Sequence, residues 1–271
     1  MERKKVLFVC TYQGARSRIA EEFANRIALG RIEAYSSCFD PGRIDPLPID
    51  VMREVGIDLP AESPKPVFTR HKEGDVFDYV IAVCYDASRE QCPLFRRTID
   101  VLYARKAKTM SWSIPDFKWL SGTEEKRKAG ARKIRDKIKS KVVAFLAKIG
   151  MNLRIDEEKN IAYIGLSGIL SKEIIFGAFD LAVSDKRYKN GMGRLWYFKD
   201  ADLSSLDAET ITELGQHSLK YPPGINDVKV AFVTDKNFEY GLTRMYEISS
   251  KAMTPIQVFR SMDEAEKWMM E

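Results

Sequence analysis

A short apolar run, KVLFVC at residues 5–10, ends in a cysteine, and six residues later Arg16-Ser17 opens an amphipathic stretch. This order constrains the chain more than any other feature. An unbroken apolar run of that length is what a strand buried on both faces shows. Beyond Ser17, the residues Ile19, Ala20, Phe23, Ile27 and Ala28 recur at helical spacing, and Gly30 stands where helices end. Between strand and helix lies the loop Thr11, Tyr12, Gln13, Gly14 and Ala15. Such a loop can wrap a tetrahedral oxyanion with its backbone N–H groups turned inward, and the helix end adds partial positive charge. Arg16 can grip two oxygens of that anion at once. The same field favours the Cys10 thiolate, the nucleophilic form. Ser17 is placed to hydrogen-bond that sulfur, and Gly14 supplies backbone freedom.

The first half continues in the same style. Residues 32–36 and 78–84 read as further strands, and 107–112 as a fourth, weaker one. Pro48 to Val55 reads as a short helix ended by Gly56, and Glu124 to Lys148 as a long basic helix. The helix faces the core with Ile134, Ile138, Val142, Phe145 and Leu146. Strands alternating with helices imply an α/β layered domain with a mainly parallel sheet. Lys148-Ile149-Gly150-Met151 is the expected linker, which divides the chain into domains 1–149 and 151–271. In the second half, strands are expected at 151–156, 161–166, 194–199, 228–234 and 256–259. Helices are expected to start after Ser171 and Asp207, at Asn237 and at Asp263.

Charge separates the halves. Residues 1–150 carry 29 basic and 20 acidic side chains, whereas residues 151–271 carry 15 and 19. Much of the positive excess sits on the helix around Lys126–Lys141. Without interleaved aromatics for base stacking, that helix reads as a solvated face, and no nucleic-acid partner is expected. No apolar run approaches the ~20 residues of a membrane span. All four cysteines, Cys10, Cys38, Cys84 and Cys92, lie in the first 92 residues, too few for a disulfide scaffold. They suit a cytoplasmic setting in which thiols stay reduced. Two histidines, His71 and His217, and no C-x-x-C pair argue against a zinc site, so no metal is expected.

With these residues in view, the first ~148 positions resemble the low-molecular-weight protein tyrosine phosphatase superfamily, which includes the thioredoxin-coupled arsenate reductases. The likeness rests on VLFVC, the C-x5-R-S loop, RIAEEFANRI, AYSSCFDPGRIDPLPIDVMREVGIDLP and DYVIAVC. It implies a flavodoxin-like four-stranded parallel sheet with the loop at its carboxyl edge. In the loop, Gln13 stands where the family favours Asn. The family places a general acid after the last strand, and the segment Trp112-Ser113-Ile114-Pro115-Asp116-Phe117 makes Asp116 that candidate, with Asp100 and Asp86 as fallbacks.

The resemblance leaves two reactions open. A phosphatase forms a cysteinyl phosphate on Cys10 that water hydrolyses. A reductase forms a thiol–arsenate adduct, which a second and a third cysteine resolve before a thiol donor such as thioredoxin reduces the disulfide. Cys84, at the end of the third strand, and the Cys92-Pro93 pair resemble the reductase segment, with seven residues between the cysteines. Cys38 reads as a bystander. Tyr12, Phe117 and Trp119 could instead wall a phosphotyrosine ring. The three cysteines favour arsenate reduction. Phosphotyrosine hydrolysis is the alternative, and a phosphate-binding module without turnover is a third reading. The expected substrates are accordingly arsenate, phosphate or phosphotyrosine, with no cofactor beyond the thiol donor.

Residues 151–271 resemble the SpoIIAA-like branch of the STAS domains, through IAYIGLSG, RLWYFKDADL, VKVAFVTD, the Gly241–Met245 stretch and VFRSMDEAEKWM. That likeness implies a mixed sheet with helices, and a regulatory or binding role toward an unknown protein or a second copy. His217 reads as a helix-face residue, not a catalytic one.

Overall fold

A computed structural model describes residues 3–84, 92–104, 106–198, 200–249 and 255–271. The chain divides into two compact units. One runs to Val142 without residues 27–29, and the other comprises Ile27–Leu29 with Val143–Glu271.

The first unit opens with β1 (Lys4–Tyr12), α1 (Ala15–Ala28), β2 (Ile32–Asp40), α2 (Pro46–Arg53), α3 (Val67–Lys72) and β3 (Tyr79–Cys84). It continues with α4 (Cys92–Tyr103), β4 (Lys108–Ser113) and the start of α5 (Glu124–Gly150). The four strands form one parallel sheet in the order β2-β1-β3-β4. This is the α/β sheet the alternation of elements implied. Its central strands are apolar because both faces are covered: all six residues of β3 are buried, as are Val6–Cys10 of β1. Leu7, Val9, Val80, Ala82 and Cys84 face one core with Val67, Ile99 and Tyr103. By strand alternation, Val6, Phe8, Cys10 and Ile81 face the other side, where the Phe8 and Trp112 rings lie 5.4 Å apart. The expected α5 stripe is buried throughout, from Ile134 to Leu146. Helix α3 had no clear periodicity over its six residues and is an addition.

The second unit contains β5 (Met151–Asp156), β6 (Ile161–Leu166), β7 (Gly168–Ile169), α6 (Lys172–Val183), β8 (Gly193–Tyr197) and β9 (Ala201–Asp202). It ends with α7 (Ala208–Ser218), β10 (Val230–Val233), α8 (Asn237–Ser249), β11 (Ile256–Phe259) and α9 (Met262–Met270). A five-stranded mixed sheet runs β11-β10-β8-β6-β5, antiparallel only at β5–β6. The caps expected at Ser171 and Asp207 form, accepting from the N–H groups of Ile174 and Thr210. Ser261, not Asp263, caps α9. At the expected linker, 148–151, α5 continues to Gly150 and β5 starts at Met151.

Candidate active site

Parallel strands expose their carboxyl ends along one sheet edge, and helices that follow them begin there. Cys10, near the end of β1, and Ala15, the first residue of α1, meet at that edge. The turn between them is tight. Gln13 and Gly14 both take positive φ, 52° and 83°. A Cβ on Gly14 would lie 2.0 Å from Pro64 Cδ, so glycine is required twice over, for conformation and for space. The loop is tied to its surroundings by the Gln13 N–H, which donates to Asp40 O at 2.8 Å, and by Ser63, whose hydroxyl lies 2.8 Å from Gln13 O. The first turn of α1 points its amides to the same edge, where a helix has donors without intrahelical partners.

The side chains expected to act there are together. Cys10 is fully buried, and its Sγ is 3.3 Å from Ser17 Oγ. That hydroxyl also lies 3.0 Å from Gly14 O and 2.9 Å from Ser37 O, so it can give its proton to a carbonyl or to the sulfur. Arg16 is 4 % exposed. Its Nη1 donates to Ile114 O at 3.1 Å, and its Nη2 donates to Asp116 Oδ2 at 2.7 Å. The other carboxylate oxygen, Oδ1, accepts the Lys118 N–H at 3.1 Å and caps the short turn Phe117–Trp119. Asp116, the general-acid candidate, thus binds Arg16 directly. Thr11 and Tyr12 complete the end of β1, and Lys118 Nζ sits 4.0 Å above the Tyr12 ring.

Other expectations fare differently. Phe117 is 7 % exposed and belongs to the core, whereas Trp119 is 47 % exposed, so the aromatic rim comprises Tyr12 and Trp119 without Phe117. Asp100 is remote: it accepts from Thr109 near the start of β4, at the opposite edge of the sheet from Ser113. Asp86 lies outside the described residues. Cys84 is buried with Leu7, Val9 and Ile99, and its Sγ is 3.6 Å from Ser111 Oγ. The register pairs Val9 with Ala82, so Cys84 shares the face of Val9, not that of Cys10. Cys92 opens α4, but its side chain and residues 85–91 lie outside the described part.

Cys38, expected to be a bystander, lies beside the nucleophile candidate. It is the Cα partner of Cys10 in the β1–β2 register, is fully buried, and has its Sγ 3.5 Å from Pro64 O. Burial first, and the neighbouring Cys10 second, push its thiol up to about 12. Only pairing register could have revealed this, and register between distant strands has no local sequence signal. Among the described residues, no cluster of three or more His, Cys, Asp or Glu side chains could hold a metal, and no helix is long and apolar enough to cross a membrane.

Comparison with known proteins adds an independent view. Residues 5–155 match the family model described as low molecular weight phosphotyrosine protein phosphatase. A glutaredoxin arsenate reductase from Synechocystis is 37 % identical over 81 residues, which span 60 % of that protein and 30 % of this chain. An arsenate reductase from Oceanobacillus iheyensis is 28 % identical over 153 residues, covering 99 % of its length and 55 % of this chain. One from Bacillus subtilis is 27 % identical over 148 residues, covering 96 % of its length and 54 % of this chain. A solved structure of an arsenate reductase in the phosphate binding state is 27 % identical. It covers 54 % of this chain and 98 % of that one, with a TM-score of 0.41.

Proposed function

The chain belongs to the low molecular weight phosphotyrosine protein phosphatase family, and on that premise we propose that it is a cysteine-dependent arsenate reductase. The observation that carries the proposal is the junction of Cys10, Ser17, Arg16 and Asp116 around one strand-to-helix loop. The names of the relatives favour arsenate over phosphotyrosine as substrate.

In the reaction we infer, the loop amides of residues 11–15 and the Arg16 fork hold the oxyanion. Cys10 Sγ attacks arsenic and an oxygen leaves. Asp116 supplies the proton to that oxygen, which requires it to let go of Arg16 and take up a proton as the anion enters. Ser17 donates to the sulfur whenever the sulfur carries negative charge. In the relay, a second thiolate attacks Cys10 Sγ. A disulfide forms, and arsenic departs as arsenite with the electron pair of the broken S–As bond. Cys84 and Cys92 are the relay cysteines, and a thioredoxin- or glutaredoxin-type donor returns the electrons. Because Cys84 sits on the opposite face of the sheet from Cys10, this relay needs the end of β3 to rearrange.

The decisive experiment measures two activities on the same variants. Cys84→Ser and Cys92→Ser should each abolish arsenate reduction with the thiol donor while leaving aryl-phosphate hydrolysis intact. A Cys92→Ser protein that still reduces arsenate with thioredoxin sinks the relay. The alternative, phosphotyrosine hydrolysis, draws on the exposed Trp119 and on Tyr12 with its overlying Lys118, which could wall and attract a phosphorylated ring. High phosphotyrosine turnover without arsenate turnover would select it. For the second unit we propose a SpoIIAA-like, STAS-related binding role toward a protein partner or a second copy. We place the whole chain in the cytoplasm, where its thiols stay reduced.

A further inference from the structure

The second unit contains an apolar cavity of about 70 Å³ between one sheet face and helices α6, α7 and α8. Alternate residues of β8 and the segment after it, Arg194, Trp196 and Phe198, form its floor with Phe232 of β10. Its walls are mostly hydrocarbon, with His217, Thr243 and Tyr246 contributing polar groups and Arg194 a guanidinium. Arg194 is 3 % exposed and lines the space. A guanidinium carried into such surroundings normally brings a carboxylate with it. Among the described residues, Arg194 has none within ion-pair distance. Its Nη1 is held by two neutral oxygens, Tyr188 Oη at 3.2 Å and the Ile225 carbonyl, and its Cζ lies 4.9 Å from the centre of the Phe179 ring. Its Nε and Nη2 make no hydrogen bond to a described residue. The nearby acid, Asp180, is spent elsewhere: its Oδ1 takes His217 Nε2 and the Tyr221 hydroxyl, both at 2.7 Å, and it does not line the cavity.

We propose that this cavity is a binding site for a small apolar monocarboxylate, with Arg194 as the charge partner of its head and the aromatic walls enclosing its tail. Sign and shape select the ligand class. The buried cation lacks an anion and has N–H donors left over, which a planar carboxylate matches in fork geometry. The space restricts the tail. Water takes roughly 30 Å³ per molecule in the liquid, so the cavity holds about two water-sized groups, which limits the tail to two or three carbons. This site is separate from the oxyanion loop and independent of which reaction the loop performs.

The test uses the full chain, with propionate and propan-1-ol as probes, by isothermal titration and by saturation-transfer NMR at neutral pH. Propionate should bind saturably, and propan-1-ol roughly 10- to 100-fold more weakly, since only the former pairs with the guanidinium. Arg194→Gln should bring propionate down to the level of the alcohol and leave the alcohol unchanged. Leu214→Phe, which fills the space from a partly exposed helix position, should remove both. If Arg194→Gln does not fold, the comparison of the two probes on the unaltered protein still decides. Equal binding of the two probes overturns the role of Arg194, and no saturable binding of either overturns the site.

Discussion

Arg16 and Arg194 are buried to nearly the same degree, 4 % and 3 % exposed, yet they are held in different ways. Arg16 reaches a carboxylate, Asp116, at 2.7 Å, and a backbone carbonyl on its other arm. Among the described residues, Arg194 reaches neutral oxygens and an aromatic face and no carboxylate. A buried charge is tolerable when its partners are fixed in place, and the identity of those partners sets what a ligand must do to bind. In the proposed reaction, an incoming oxyanion has to displace or protonate Asp116 at the loop, which would couple binding to proton delivery. In the second unit, an anion would meet a cation with no competitor. On the proposed readings, one region is arranged for chemistry and the other for simple recognition.

The largest expected effect isolates the chemistry. Cys10→Ser should lower arsenate reduction and aryl-phosphate hydrolysis by roughly 10⁴-fold or more, since the nucleophile cannot be replaced by binding. Steady-state assays of both reactions check this. Because Ser is nearly isosteric, thermal stability should hold, and propionate binding should be unchanged. A Cys10→Ser protein that keeps either turnover would break the division between a chemical and a recognition region.

Next comes the arginine itself. Arg16→Lys keeps the charge but loses the fork, and with it the simultaneous reach to Asp116 and Ile114. Turnover should fall by about 10²- to 10³-fold, the scale seen when one preorganised donor is removed from developing charge. Binding of arsenate, followed by calorimetry on Cys10→Ser and Cys10→Ser/Arg16→Lys, should weaken in parallel. If turnover fell while anion affinity stayed the same, Arg16 would be serving Asp116 and not the substrate.

Much of the loop was legible from the chain alone, because its determinants are contiguous. The apolar run, the cysteine, the glycine, the arginine and the helix spacing all fall within residues 5–30. The partner of Arg16 lies 100 residues away, and only its family position suggested it. The clamp at Ser63-Pro64 and the pairing of Cys38 with Cys10 were not legible, since both depend on which distant backbone comes alongside. Arg194 was hidden for a related reason. An arginine beginning a strand normally reads as exposed, and only the closing of α6, α7 and α8 over that sheet face buries it.

Asp116→Asn tests proton delivery and should slow turnover about 10²-fold. It also leaves Arg16 with a neutral partner, making it resemble Arg194. The loss should be larger for aryl phosphates with poor leaving groups than for those with good ones. Equal rates across such a series would remove the acid role. Gly14→Ala acts on shape alone. With φ at +83° and Pro64 in the way, it should cost about 1–3 kcal/mol of stability and reduce anion affinity, measured by denaturant unfolding and calorimetry.

The smallest effect concerns Cys38, where position and protonation pull in opposite directions. Its register beside Cys10 would suit a resolving thiol better than the buried site of Cys84. Its thiol, however, is pushed up to about 12, chiefly by burial. At pH 7 only about one molecule in 10⁵ would then carry a Cys38 thiolate, and the thiolate is the attacking form. Protonation should win. Iodoacetamide should leave Cys38 unlabelled in the folded protein at pH 7 and still at pH 9, as read by peptide mass spectrometry. Cys38→Ala should change thiol-linked arsenate turnover by less than about two-fold, in the manner of a substitution that leaves the reacting groups untouched. A loss as deep as that of Cys10→Ser would instead make Cys38 the resolving cysteine. The opening of β3 that a Cys84 relay demands would then be unnecessary.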